Sequence, residues 1–175
     1  METNTTPVTT TSVGLRYGLL TGLVSIIYMF VLFVSDLMMN TAAQWGGLIV
    51  PIIGIYLAHQ SFKLQNAGFM SYGQGLGIGV MLSTVSGLLT AIFNYVYRTI
   101  IDPEMAGRMM ESVRAKMEAA GNMTDEQIDS ALKMSEKFSA GPIGIVFGVL
   151  VTVFTGFIIA LIVSAFTKHA QPEFE

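Results

Sequence analysis

His59 and His169 are the only imidazoles among 175 residues, and the chain has no cysteine. Thiolate nucleophiles, thiolate metal sites and disulfides are therefore outside its chemistry. A metal trio or a nucleophile and base pair needs these histidines beside further donors. The carboxylates are elsewhere: eight of the twelve Asp and Glu fall between Asp102 and Glu136. The stretch Gly73-Gln74-Gly75-Leu76-Gly77-Ile78-Gly79 is glycine-rich, but its spacing fits neither the dinucleotide fingerprint nor the phosphate loop. It opens an apolar helix and follows no strand. No catalytic residue, cofactor or metal is expected, and the chain does not read as an enzyme. With a net charge of -3 it lacks the basic face that phosphates demand, so nucleic acid is not an expected partner.

Reactive groups are scarce because the elements are built for hydrocarbon. Hydrophobic residues make up 52% and charged residues 12% of the chain, with a mean hydropathy of +0.61. A helix crosses a bilayer in roughly 20 apolar residues. Four stretches qualify, at about residues 13–37, 42–58, 75–96 and 143–166. The reading is all-α: a polytopic membrane protein with four transmembrane helices and an extramembrane two-helix hairpin, 102–140, between the third and fourth. Residues 1–12, rich in Thr, read as a disordered tail without the charges of a leader. Residues 170–175 form a second tail, and 13–169 a single domain. The first apolar stretch is too long for a cleavable signal and reads as a retained helix. A tight turn is expected at Asn40–Gln44, an interfacial anchor at Trp45, and a kink at Pro51, whose missing N–H interrupts the helix. Asp36 and His59 are placed at helix ends, where solvation is cheap, and Arg16 can snorkel to headgroups. Asn94 is expected to bridge helices.

Small residues recur at four-residue spacing in three of the spans: Gly14, Gly18 and Gly22; Gly75, Gly79, Ser83, Gly87 and Ala91; and Gly144, Gly148, Thr152, Gly156, Ala160 and Ser164. Such stripes let backbones approach where lipid supplies no hydrophobic drive. They predict packing within the bundle or between copies of the chain. A path lined by the hydroxyls of Ser83, Thr84, Thr90, Thr152 and Thr155 is a further reading, against which stands the habit of such hydroxyls of bonding back to their own helix.

The hairpin carries its own start and stop signals. Asp102-Pro103-Glu104 offers an N-cap carboxylate, a proline at the first helical position and an acid in the first turn, all favourable to the dipole. Glu104 and Arg108 are spaced to pair, and Gly121-Asn122 ends the helix. Thr124 with Gln127 forms a capping box for the second helix, where Asp129 and Lys133 add a further pair. Met105, Met109, Val113 and Met117 form one apolar stripe, and Ile128, Ala131, Leu132, Ser135 and Phe138 the other, with Ser135 its one polar member. These stripes can pack together as a cap on the bundle. The methionine stripe can equally serve as an adaptable docking surface for a protein partner.

For orientation, Arg16, Lys63 and Lys168 would share one side, while the long loop opposite holds six Lys and Arg. The positive-inside rule counts both. The three short segments carry basic residues with little acid beside them, which leans toward both termini in the cytoplasm.

The stretches Phe69-Met70-Ser71-Tyr72-Gly73-Gln74-Gly75, Asn94-Tyr95-Val96-Tyr97 and Ile101-Asp102-Pro103-Glu104 resemble a bacterial family catalogued as domain of unknown function 4199. The Met123-Thr124-Asp125-Glu126-Gln127-Ile128 helix start and the Ile158-Ile159-Ala160-Leu161-Ile162 segment are similar to its C-terminal half. The resemblance spans about residues 14–169. It implies a small four-span protein of the bacterial inner membrane with no assigned activity, cofactor or catalytic residue. Two functions are expected from the residues: an accessory or scaffold protein presenting the hairpin to a protein partner, or an oligomeric channel or transporter for a small solute.

Overall fold

The computed structural model describes residues 8–139 and 141–170. Among the described residues seven α-helices follow one another: α1 Thr10–Val34, α2 Thr41–Gly47, α3 Ile49–Gln65, α4 Tyr72–Val96, α5 Met105–Ala120, α6 Asp125–Ser139 and α7 Gly141–Thr167. Four segments are long and apolar enough to cross a membrane: Thr10–Val34, Thr41–Gln65, Tyr72–Ile101 and Gly141–Thr167. Their outer faces carry leucine, isoleucine, valine and phenylalanine, from Leu15 to Phe166. That surface suits lipid and would be untenable in water. This is a multi-pass membrane protein.

Capping residues set the boundaries, and several differ from expectation. Thr9 accepts a hydrogen bond from the Ser12 N–H at 3.1 Å, so α1 begins at Thr10, inside the stretch expected as tail; the rest of that expectation, residues 1–7, lies outside the described residues. Asp36 takes a left-handed φ of 52° and stops α1 three residues early. The expected turn at Asn40–Gln44 is helix instead: the Asn40 carboxamide caps α2 by accepting from the Ala43 N–H. The second span runs seven residues past Ala58, through Gln60 and Lys63, before ending at Gln65. It is broken at Leu48, one residue after Gly47, the position whose carbonyl the Pro51 N–H would have met and the proline ring crowds. A capping box of Ser71 and Gln74 starts α4. α4 leaves through a π-helical turn, Tyr97–Ile101.

α4 is the central element, with α1 on one side and α7 on the other. Against α1 it runs parallel. Side chains beyond the two backbones sit where Cβ atoms would: one at Gly14 would lie 2.7 Å from Met81 Cβ, one at Gly18 2.8 Å from Val85 Cβ, and one at Gly22 2.7 Å from Leu89 Cδ1. Against α7 it runs antiparallel, and the two stripes meet residue for residue: Gly75 on Ser164, Gly79 on Ala160, Ser83 on Gly156, Gly87 on Thr152 and Ala91 on Gly148. α3 packs against both α1 and α7 through Gly54, Ile55, Ala58, His59 and Phe62, with Gly54 pressed on Thr21. A two-residue bridge, Met70 N–H to His169 O at 2.8 Å and its reciprocal at 2.9 Å, ties the α3–α4 connector to the end of α7.

Charge is polarised along the bundle. Every carboxylate among the described residues, from Asp36 to Glu136, belongs to the end that carries α5 and α6. The opposite end holds Arg16, Lys63, Lys168 and both histidines.

Candidate functional site

Small residues of α1, α4 and α7 lie at helix contacts within the chain. A Cβ at Gly79 or Gly156 would overlap Ala160 or Ser83, and one at Gly75 would stand 2.6 Å from Ser164 Oγ. Gly87 is next, 3.0 Å from Thr152 Cβ, and the seam then relaxes: Gly148 has ordinary contact with Ala91 at 3.8 Å. Gly144, one turn further out, is half-buried. Of the hydroxyls read as a path, Thr84 donates to Val80 O, Thr90 to Ser86 O and Thr152 to Gly148 O, each within its own helix. Ser83 Oγ and Ser164 Oγ are buried in the seam without a hydrogen-bond partner.

His59 departs furthest from expectation. It is not at a solvated helix end but fully buried, six residues before α3 stops. Its Nε2 lies 3.0 Å from the Gly75 carbonyl oxygen, which can only accept, so that nitrogen carries a proton. Its Nδ1 lies 2.8 Å from Thr167 Oγ1, whose own proton has a second acceptor in Val163 O at 2.8 Å. One ring thereby joins α3, the first turn of α4 and the last turn of α7. No spacing within a single helix signals this arrangement, because its three members are 16 and 92 residues apart.

At the opposite end the hairpin rests on an aromatic seat. Phe33 of α1 and Tyr97 of the π-helical turn lie with ring centroids 4.5 Å apart, and Phe93 stacks on Phe33 at 6.2 Å. Met105 is buried against them, with Met29, Met38 and Met109 packed around. The first half of the methionine stripe is therefore committed to the bundle. Met105 is 5% exposed, and Met109, Val113 and Met117 are half-buried. This turns Met105 and Met109, two of the four residues of the expected docking face, toward the bundle. Asn94 of α4 reaches Met29 Sδ on α1 at 3.8 Å, one helix bridge that the sequence anticipates.

Polar contacts hold the hairpin in shape. The Asp102 carboxylate accepts from the Met105 N–H at 3.1 Å and pairs with Arg108. Arg108 thus meets Asp102 rather than the expected Glu104, because the turn through Pro103 brings the earlier carboxylate under the helix. The Arg108 guanidinium holds the Asp102 carboxyl below its ordinary range, helped by the backbone N–H groups of Met105 and Glu104. Arg114 joins α5 to Asp129 of α6 and also reaches Glu118. Asp129 is thereby drawn across the hairpin rather than along its own helix to Lys133. Gly121, with φ 65°, closes α5, and Thr124 and Gln127 form the expected capping box. Ile128 of α6 is buried, and Phe138 meets Phe147 of α7 at 5.6 Å. Lys116 Nζ donates to Met39 O at 2.8 Å, fastening α5 to the α1–α2 connection. What the hairpin leaves open is a cleft of about 330 Å³ between α5 and α6, lined by Met110 and Leu132 and by the charged Glu111, Arg114, Asp129, Lys133 and Glu136. Among the described residues no three His, Asp or Glu side chains converge as a metal site.

Residues 16–169 match the model of a family described as Protein of unknown function (DUF4199). The chain belongs to the DUF4199 family. The match covers most of the first span, the other three spans and the hairpin, so in this DUF4199 protein the membrane bundle and the extramembrane helices form one family unit. No curated protein matches the chain, and no solved structure does.

Proposed function

We propose that this DUF4199 protein is a non-enzymatic accessory or scaffold protein of a bacterial inner membrane, whose bundle holds α5 and α6 at the surface for a protein partner. The observation that carries this reading is the division of labour within the hairpin. Its inner face is anchored on Phe33, Phe93 and Tyr97, while the cleft between α5 and α6 sets the apolar Met110 and Leu132 among the charged Glu111, Arg114, Asp129, Lys133 and Glu136. Apolar floors rimmed by charge are a common form of recognition surface. The partner-facing residues are accordingly taken from this cleft rather than from Met105 and Met109. Photo-crosslinking amino acids at Glu111 of α5 and at Lys133 of α6 should capture the same protein in native membranes. Leu132→Asp should abolish both adducts while the bundle still purifies intact. Different captures from the two positions, or adducts indifferent to Leu132→Asp, would refute the reading. The alternative, an oligomeric path for a solute, draws no support from Thr84, Thr90 and Thr152, whose hydroxyls serve their own helices.

A further inference from the structure

The break at Leu48 opens a cavity of about 220 Å³ between α1 and the second span, walled by Ser25, Tyr28, Met29, Met38, Gln44 and Val50 among others. We infer that this cavity takes a segment of a phospholipid acyl chain and that its occupancy is felt at the hairpin's seat.

The polar groups in its wall are largely committed. The Tyr28 hydroxyl donates to Ala43 O at 2.7 Å, and the Gln44 amide donates to Met38 O at 2.8 Å. A polar guest would leave its own groups short of partners, whereas hydrocarbon asks for none. The supply is adjacent. Val24 and Ile49, next in sequence to the wall residues Ser25 and Val50, are more than half exposed on the outer surface. Trp45 follows Gln44 and is 68% exposed, which sets the cavity just beneath the headgroup boundary. The shape follows from sequence: Pro51 interrupts the helix, and Gly46 and Gly47 leave the room that the Tyr28 ring enters, since a Cβ on Gly46 would stand 2.6 Å from its hydroxyl.

Met29 and Met38 have a second role, for both also pack on the Phe33, Tyr97 and Met105 cluster. The same two flexible thioethers separate the cavity from the seat, and Lys116 holds α5 to the residue after Met38. Filling the cavity fixes methionine rotamers that are otherwise free to repack, and the seat responds. The lipid site itself stands independently of the partner reading; only the use of its coupling rests on that reading.

The test uses the full chain in nanodiscs of phosphatidylethanolamine and phosphatidylglycerol, with a diazirine amino acid at Met38 or, as a bulk-lipid control, at exposed Leu23. The expected result is a lipid adduct at Met38 that falls roughly tenfold in Ser25→Leu and again in Val50→Phe, which overfill the cavity from opposite walls. Capture at Leu23 should be unchanged, which also reports that the bundle has folded. Undiminished capture at Met38 in both variants, or lipid captured at Leu23 and none at Met38, would overturn the site. Amide exchange across residues 105–113 should change in the same two variants; if it does not, the coupling is overturned and the site is not. Capture of protein at Glu111 and Lys133 is scored separately, so failure here is distinguishable from failure of the partner reading.

Discussion

Gly156 and Ser83 show what a single atom is worth in this molecule. A methyl group on Gly156 has no space, because the Ser83 side chain occupies it. Gly156→Ala should therefore destabilise the bundle by about 1–3 kcal/mol, the usual cost of overfilling a packed interior. Adding Ser83→Gly should recover most of the loss, as expected for residues in direct contact. Gly148→Ala, with room to spare against Ala91, should be close to neutral. Thermal unfolding in detergent micelles gives all three values, and equal losses for Gly156→Ala and Gly148→Ala would contradict the register. His59→Ala belongs to the same scale. It removes the partner of Thr167 and Gly75 in a fully buried place, with an expected loss of about 1–3 kcal/mol. The stripes were visible in the sequence because small residues at every fourth position have few other uses in a membrane helix. His59 was not legible. Polar neighbours Gln60 and Lys63 made the end of the second span look solvated, whereas the helix continues and turns one face into the bundle.

The elements follow their local signals closely where capping chemistry decides and loosely where tertiary contact does. Gly121 and the Thr124–Gln127 box end and start the hairpin helices as their sequence dictates, and Gly121→Ala, forced to keep φ near 65°, should cost about 1 kcal/mol. The Glu104–Arg108 spacing was equally clear and is unused, because Asp102 offers Arg108 a better-placed carboxylate in addition to capping Met105. This pair sets a pH dependence with a definite sign. The Asp102 carboxyl is held below its ordinary value of 3.8, first by Arg108. Its contribution to seating α5 is thus complete above that value and is lost as pH falls through the lower folded one. Protection of the Met105 amide from exchange should stay flat from pH 7 to about 5 and decline only in stronger acid than an ordinary aspartate requires. Asp102→Asn should lower the protection at neutral pH and remove the part of the decline due to this residue. A wild-type decline centred above pH 5 would contradict the pair.

For the whole molecule, four spans and an intervening hairpin were readable from hydropathy and charge segregation, since a charge-rich segment of about forty residues between apolar runs admits few other arrangements. Which stripe meets which was not. The glycines of α1 face Ile78, Met81, Leu82 and Val85 rather than another small-residue row, and only the parallel course of α1 and α4 explains why. Among the described residues the end with Arg16, Lys63 and Lys168 holds no carboxylate, and on that basis we predict that both termini lie in the cytoplasm. A phosphatase fused after Glu175 should be silent and a cytoplasmic reporter active; the reverse pattern would invert the topology.

The antiparallel seam also has a history in time. α4 leaves the ribosome with α1 already present, but its other stripe must wait for α7, which follows only after the 44 residues between Val96 and Gly141. At bacterial elongation rates of about 5–20 residues per second, that wait is about 2–9 s. During those seconds Gly75, Gly79 and Gly87 face whatever lies beside them, lipid or an insertion chaperone. The length of the hairpin is therefore also a clock, and shortening it would bring the two halves of the seam together sooner.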